Sequence, residues 1–355
     1  MKPYTLFICL VSLLSCSHQA SKQEIIGQAQ GTTYHIKLYS QDNINYSTAI
    51  DSILRAIDQS LSLYINNSTI FRVNQKDTIV GTDSYFQQVF IKSQEVYQST
   101  HGAFDPTILP LVKGWGFGKG KTLTIDSSMV DSLLKMVDFN KVTMGMPQQL
   151  ELHHVLKRYC DSAQIEINYL LQKSDPNIQL DFNAIAQGYT VDIIRNYLNN
   201  AGVENYMIEL GGEVFASGNK PNNNLWKIGI DKPLDDPGKR ELQAIVALEN
   251  KAMATSGNYR QFYIKDGVKY AHTIDPKTGY PVTHNLLSAT VLASECALAD
   301  AYATAFMVMG LQKAKVFLLE NPNLGLDALF IYSNAEGSWE TYTTNGMKDL
   351  VQDVN

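Results

Sequence analysis

Hydrophobic and polar positions along this chain fall into short alternating runs and longer helical repeats, unevenly interleaved. Gly31-Thr32-Thr33-Tyr34-His35-Ile36-Lys37-Leu38 alternates with a period of two, which predicts a strand with one buried face. Ile50, Ile53, Leu54, Ile57 and Leu61 recur at helical spacing, and Thr82 and Asp83 cap a second helical pattern through Phe86, Val89, Phe90 and Val96. An aromatic, glycine-rich loop follows at 114–120. Helical signals return at 126–139 and at 183–200, the latter stopped by Gly202. From Tyr206 onward short strands are expected at 206–210, 226–230, 242–248, 259–264, 268–273 and 287–293. An apolar helix at 295–309 ends at Gly310, and a last helix with two strands near 328–332 and 339–343 closes the chain. No sustained strand–helix alternation appears, so the pattern favours α+β over a doubly wound parallel sheet. There is no repeat, coiled coil or low-complexity tract.

Composition adds bounds. With 355 residues, 45% hydrophobic and 18% charged, the chain can bury a sizeable core in one large domain or two intimate lobes. A net charge of -6 offers no basic face for phosphate backbones, which argues against nucleic acid as a partner. The same balance means that an anionic ligand must be drawn by a local cation or a helix terminus.

The first residues read as a targeting segment: Met1-Lys2, an apolar run from Leu6 to Leu14, then Ser15-Cys16. The run is too short to span a bilayer, which takes about 20 apolar residues. Leu13-Leu14-Ser15-Cys16 resembles a bacterial lipobox, with an ordinary secretory leader as the alternative. The lipobox gives a leader at 1–15, lipidation at Cys16, a polar tether to residue 24 and a single domain over 25–355. Such a protein faces the periplasm from the inner or outer membrane. Ser17, where an aspartate is absent, mildly favours the outer. Cys160 and Cys296 then remain; their spacing carries no disulfide framework, and two separate packed thiols are expected.

Candidate chemistry is scattered. Asp300 and Thr304 are four apart in a helix that is apolar nearly all round, so they share one face. A carboxylate buried there needs compensation, and a hard cation bound by carboxylate and hydroxyl oxygens would supply it. Hydrogen bonds to nearby backbone would serve as well, and spacing alone leaves the two open. Leu180-Asp181-Phe182-Asn183-Ala184-Ile185-Ala186-Gln187-Gly188-Tyr189 leads from a strand into a helix N-terminus, where N–H groups favour an anion, although Asp181 or Asn183 could simply be a cap. Glu209-Leu210-Gly211-Gly212-Glu213 puts two glycines inside a strand pattern, which suggests a bulge or a backbone close to a ligand. Ala254-Thr255-Ser256-Gly257-Asn258-Tyr259 offers hydroxyls but is also turn-like. His272-Thr273-Ile274-Asp275-Pro276-Lys277-Thr278-Gly279-Tyr280-Pro281 makes a Pro/Gly loop between strands. His272 stands in its polar cluster and is the best general-base candidate. His153 and His154 are adjacent and His18 lies in the tether, so no zinc spacing exists. No dinucleotide Gly-x-Gly-x-x-Gly turn, Walker loop or Gly-x-Ser-x-Gly elbow is present.

Taken in order, these segments resemble the FAD:protein FMN transferase family, the ApbE-type lipoproteins, over roughly residues 27–345. The resemblance rests on Gly31-Thr32; Ser62-Leu63-Tyr64 with Ser68 and Asn74; Gly102-Ala103-Phe104-Asp105-Pro106-Thr107; and Trp115-Gly116-Phe117-Gly118. It continues through 181–189, Gly211-Gly212-Glu213, Ala254-Thr255-Ser256-Gly257, 272–281, and Ala299-Asp300 with Thr304. It implies an α+β, T-fold-like core of mixed or antiparallel sheets with flanking helices and two intimate lobes around a flavin cleft. It implies Mg²⁺ on Asp300, Thr304 and the Ala184 carbonyl. It further implies FAD lined by Tyr64, Ala103, Phe104, Asp105, Asp181 and Gln187, with Gly257 and Thr273 nearby. The implied reaction moves the FMN half of FAD to a Thr or Ser hydroxyl of an acceptor protein and releases AMP, with His272 or Asp275 taking the proton or orienting the acceptor. An FAD pyrophosphatase giving FMN and AMP, or a non-catalytic FAD-binding lipoprotein, are the alternatives. Two positions depart from the family pattern: Asn183-Ala184 stands for a Gly-Gly pair, and Gln187 for a lysine. The first leaves a backbone carbonyl available; the second puts a phosphate or flavin contact in doubt.

Overall fold

The computed structural model describes residues 21–42, 44–117, 125–146, 169–234, 241–258, 262–265 and 268–354. Its centre is an eight-stranded sheet of β1 (Ser21–Ala29), β2 (Thr32–Ser40), β6 (Asn205–Leu210), β7 (Glu213–Ser217), β10 (Lys251–Gly257), β13 (Leu286–Ala293), β14 (Asp327–Ser333) and β15 (Trp339–Thr343), hydrogen-bonded in that order. Two small three-stranded sheets flank it. One joins β3 (Ile79–Thr82), β5 (Tyr169–Lys173) and β4 (Val142–Gly145); the other joins β16 (Val351–Asp353), β9 (Leu242–Leu248) and β8 (Trp226–Asp231). A hairpin of β11 (Phe262–Lys265) and β12 (Val268–Ala271) stands apart. Among the described residues every strand pairing is antiparallel.

Layering follows from which faces are apolar. One face of the large sheet carries Val214, Ala216, Met253, Leu292, Leu329 and Ile331, which pack against Trp226, Ile230, Ala244, Val246 and Leu248 of the β8–β9 sheet. The other face packs on the helices α1 (Ser47–Leu61), α3 (Ser84–Ser99), α6 (Asn183–Asn200), α7 (Cys296–Met309) and α8 (Leu311–Glu320), in one continuous apolar core. The helix α7, apolar on nearly all sides, is buried among them as such a helix must be. Short α2 (Thr69–Val73), α4 (Leu109–Gly114), α5 (Ser127–Leu134) and α9 (Asn345–Lys348) complete the set. No helix among the described residues is long and apolar enough to cross a membrane.

Several expectations are revised. The strand expected from Gly31 starts at Thr32, and a further strand, β1, precedes it, taking up Ser21–Glu24 of the expected tether. Gly211-Gly212 is no bulge: the two residues form the turn between β6 and β7, with Leu210 opposite Glu213 and both glycines at positive φ (69° and 112°). Ala254 to Gly257 is not a turn but the inner strand β10, paired with β7 and β13. The helix expected over 126–139 stops at Leu134, after an Asp126 cap. Cys16, Cys160, His153, His154, Gly118 and Tyr259 lie outside the described residues; Cys296 is a buried free thiol.

Candidate functional site

The seam between α6 and α7 gathers the expected metal ligands. The helices meet so closely that a Cβ on Gly188 would lie 2.3 Å from the Cys296 carbonyl oxygen, a distance that only glycine allows. Asp192, one turn later, accepts the backbone N–H groups of Cys296 and Ala297 at 3.0 and 2.9 Å, which satisfies donors at the start of α7. Arg195 lies 3.6 Å from that carboxylate. Thus braced, α7 presents Asp300, whose Oδ2 accepts the Gly188 N–H at 3.3 Å. Ala184 leaves helical geometry (φ -88°, ψ 17°), and this ψ turns its carbonyl away from the helix axis at the start of α6.

Thr304, one turn beyond Asp300, places its hydroxyl 3.1 Å from that of Ser256 on β10. Gly257 follows, and Asn258 after it accepts the Thr273 hydroxyl at 2.6 Å. A line of polar side chains therefore runs from α7 across β10 to Thr273 and its neighbour His272, which is half-buried. Asp275 heads the next turn. Its carboxylate accepts the Lys277 N–H at 2.9 Å, and its backbone bonds Tyr280 and Gly279. One of its oxygens thus shapes the loop, which is anchored in turn by the Trp115 indole donating to the Gly279 carbonyl at 2.7 Å.

The residues expected around FAD collect at the entrance to α6. Asp181 accepts the Asn183 N–H at 2.8 Å in a tight turn just ahead of α6, whose N-cap is Phe182 with no side-chain cap, and its own N–H donates to the Pro106 carbonyl at 2.7 Å. That bond brings in Ala103, Phe104 and Asp105, all buried. Asp105 accepts both the N–H and the hydroxyl of Thr107, yet burial pushes its carboxyl up to about 6. Burial raises Asp181 as well. Asn74 exchanges two hydrogen bonds with Leu180, at 2.8 and 2.7 Å, tying the end of α2 to the same step. On the turn between α1 and α2 Tyr64 is 57% exposed, a ring with surface to offer. Gln187 packs on the hairpin turn, its amide nitrogen 3.0 Å from where a Gly211 Cβ would stand.

The electrostatics of the seam are those of a site short of positive charge. Asp300 and Glu213 are each only 6% exposed. Burial pushes Asp300 up to about 7, and burial together with the neighbouring Asp300 raises Glu213 well above the usual carboxylate range. No lysine or arginine among the described residues offsets either. Glu213 Oε2 is buried with no hydrogen-bond partner. Uncompensated charge here would cost several kcal/mol, so a cation suits the seam. No three His, Cys, Asp or Glu side chains among the described residues form a metal cluster, so an ion would draw on the Thr304 hydroxyl and Ala184 carbonyl too, a hard-oxygen set that fits Mg²⁺.

Reading the sequence assigned no role to Glu213, Gly188, Asp192 or Ser256, although three of them lie inside motifs it singled out. Gly188 and Asp192, four apart in a helix, signal one packed face; Glu213 at the head of the apolar run Val214-Phe215-Ala216 signals an inward carboxylate.

Fold and seam define an antiparallel α+β protein with a buried acidic site where its two central helices meet the large sheet. The ApbE family model matches residues 30–330, and the chain belongs to that family. It is 30% identical over 352 residues to a Haemophilus influenzae protein named FAD:protein FMN transferase, covering 96% of this chain and 95% of that one. A Vibrio cholerae protein of the same name is 31% identical over 348 residues, covering 96% of each. Among solved structures, the flavin transferase ApbE from Vibrio cholerae superposes with a TM-score of 0.77 at 30% identity, over 93% of this chain and 99% of that one. The apo flavinyl transferase ApbE of Pseudomonas stutzeri gives 0.77 at 28% identity, over 94% and 97%.

Proposed function

We propose that this protein transfers the FMN half of FAD to a Thr or Ser hydroxyl of an acceptor protein and releases AMP. The observation that carries this reading is the buried carboxylate Asp300, held beside Thr304 without a countercharge, in a chain whose relatives are named for that transfer. The acceptor oxygen bonds to the FMN-side phosphorus, the phosphoanhydride bond breaks, and its electron pair leaves with AMP. When bound at Asp300, Thr304 and the Ala184 carbonyl, Mg²⁺ would supply charge stabilisation for the diphosphate and the departing phosphate.

The chain's own residues account for the rest. The α6 N-terminus directs backbone N–H groups toward an anion. Tyr64 offers a ring to the flavin, while Ala103, Phe104, Asp105, Asp181, Gln187, Gly257 and Thr273 line the dinucleotide. Gln187 gives an amide where a lysine is usual, so phosphate binding leans on the helix terminus and the cation. His272 takes the hydroxyl proton at a ring nitrogen, and Asp275 holds the loop that presents it. The lipobox-like Leu13-Leu14-Ser15-Cys16 supports export and acylation at Cys16.

The test is incubation with FAD, Mg²⁺ and an acceptor carrying an Asp-x-x-Thr segment, followed by mass spectrometry. An FMN adduct is the expected product. Free FMN with AMP would make the protein a pyrophosphatase, and unchanged FAD a carrier; either overturns the transferase reading. His272→Ala should abolish transfer and leave FAD binding intact, whereas equal loss of both rejects its role as base.

A further inference from the structure

Glu213 is an acidic group of the seam that neither braces α7, as Asp192 does, nor has a task in the cation reading. It opens β7 directly after the Gly211-Gly212 turn, in register with Leu210. The next residue, Val214, accepts a hydrogen bond from the Cys296 thiol at 3.6 Å, so this end of β7 runs beneath the first turn of α7. Glu213 therefore points into the space that Asp300 approaches from the helix side, and the two carboxylates repel one another. Asp192 nearby shows how such a group is normally settled, with two backbone N–H groups and Arg195 around it. Glu213 has no comparable partner: it is more than nine-tenths buried, and Oε2 meets no donor. A buried carboxylate oxygen left in that condition needs an explanation, and a bound cation is one of the few available.

We propose that Glu213 supplies the second negative charge of the cation site, so that Asp300 and Glu213 together neutralise one divalent ion. This rests on the cation reading given above and deepens it. With Asp300 alone, a dipositive ion in the seam would retain a net positive charge; with both, the protein side is balanced before any diphosphate arrives. Carboxylates of this kind, when removed, lower metal affinity by about 10- to 100-fold.

Mn²⁺ binding to the purified protein, followed by the paramagnetic resonance of free Mn²⁺, tests this without any turnover, alongside thermal melts with and without the ion. Glu213→Gln keeps shape and removes charge. It should weaken Mn²⁺ binding at least about tenfold, leave the metal-free melting temperature equal or higher because a buried carboxylate oxygen without a donor is removed, and shrink the stabilisation by Mn²⁺. Glu213→Asp, which keeps the charge, should bind Mn²⁺ more tightly than Glu213→Gln does. If Asp300→Asn weakens binding while Glu213→Gln leaves it within about twofold, the ion site stands and this inference fails. If neither substitution affects Mn²⁺, the cation reading itself falls and the inference with it. A metal-free melting temperature that drops sharply for Glu213→Gln, with an unchanged Mn²⁺ shift, marks a purely structural side chain and also overturns it.

Discussion

Gly188 matters for what it lacks. A methyl group there would press on the Cys296 backbone, which is not a flexible side-chain end, so α6 and α7 must separate. Gly188→Ala should cost about 1–3 kcal/mol in urea unfolding, as overpacking does, and should weaken Mn²⁺ binding because the Gly188 N–H holds Asp300. Unchanged stability would mean that the seam is looser than described. Asp192 yields a pH prediction. Burial outweighs its two N–H donors and Arg195, so its carboxyl sits at about 6 in the folded protein against an ordinary value of 3.8. The folded state thus holds the proton more tightly than the unfolded one. Its contribution is fully present below about pH 4 and is lost as pH rises through 6. The stability of the native protein minus that of Asp192→Asn should therefore fall by on the order of 2–3 kcal/mol between pH 4 and 7. A flat difference would show that the donors and Arg195 fully offset burial.

Elements in this fold were legible where end signals or a clear local pattern mark them. α6 and β9 match their expected limits, because Gly202 ends the former and Ala244, Val246 and Leu248 alternate in the latter. β7 and β10 escaped because they lie inside a sheet covered on both faces, so neither alternates, and in β10, Lys-Ala-Met-Ala-Thr-Ser-Gly, only Thr has a marked strand preference. Distant pairing partners, not local pattern, make them strands. The site divides the same way. Asp300 and Thr304 are one helical turn apart and readable; the meeting of Asp300 with Glu213 depends on packing α7 over β7, which no spacing encodes. β5 carries another hidden device: the buried Lys173 ammonium shares its three N–H donors among the carbonyls of Val73, Gln75, Pro176 and Ile178 at 2.7–3.3 Å, fastening the end of α2 to the loop before α6. Lys173→Met should destabilise by about 3 kcal/mol, since buried carbonyls lose their donor, and a calorimetric melt within 2 °C of the parent would contradict that.

At the scale of the whole molecule, the large sheet is the frame on which separate stretches of chain converge. The Ala103–Asp105 segment, the entrance of α6, the β6–β7 turn, β10 and the loop after β12 come from distant parts of the sequence, and the sheet order sets the β6–β7 turn beside β10. The proposed anchor adds a prediction at this scale. Labelled fatty acid should enter the full-length protein in a bacterial host and be lost in Cys16→Ser, with the variant released from membranes; labelling that persists in Cys16→Ser would remove the lipobox from consideration.

Were Cys16 acylated, little slack would separate it from the large sheet, because β1 is already hydrogen-bonded to β2 at Ser21. Five residues reach at most about 18 Å when fully stretched. The edge of the sheet would be moored close to the lipid headgroups, and the proteins it could serve would be those whose modifiable hydroxyls come within a short distance of the same bilayer surface.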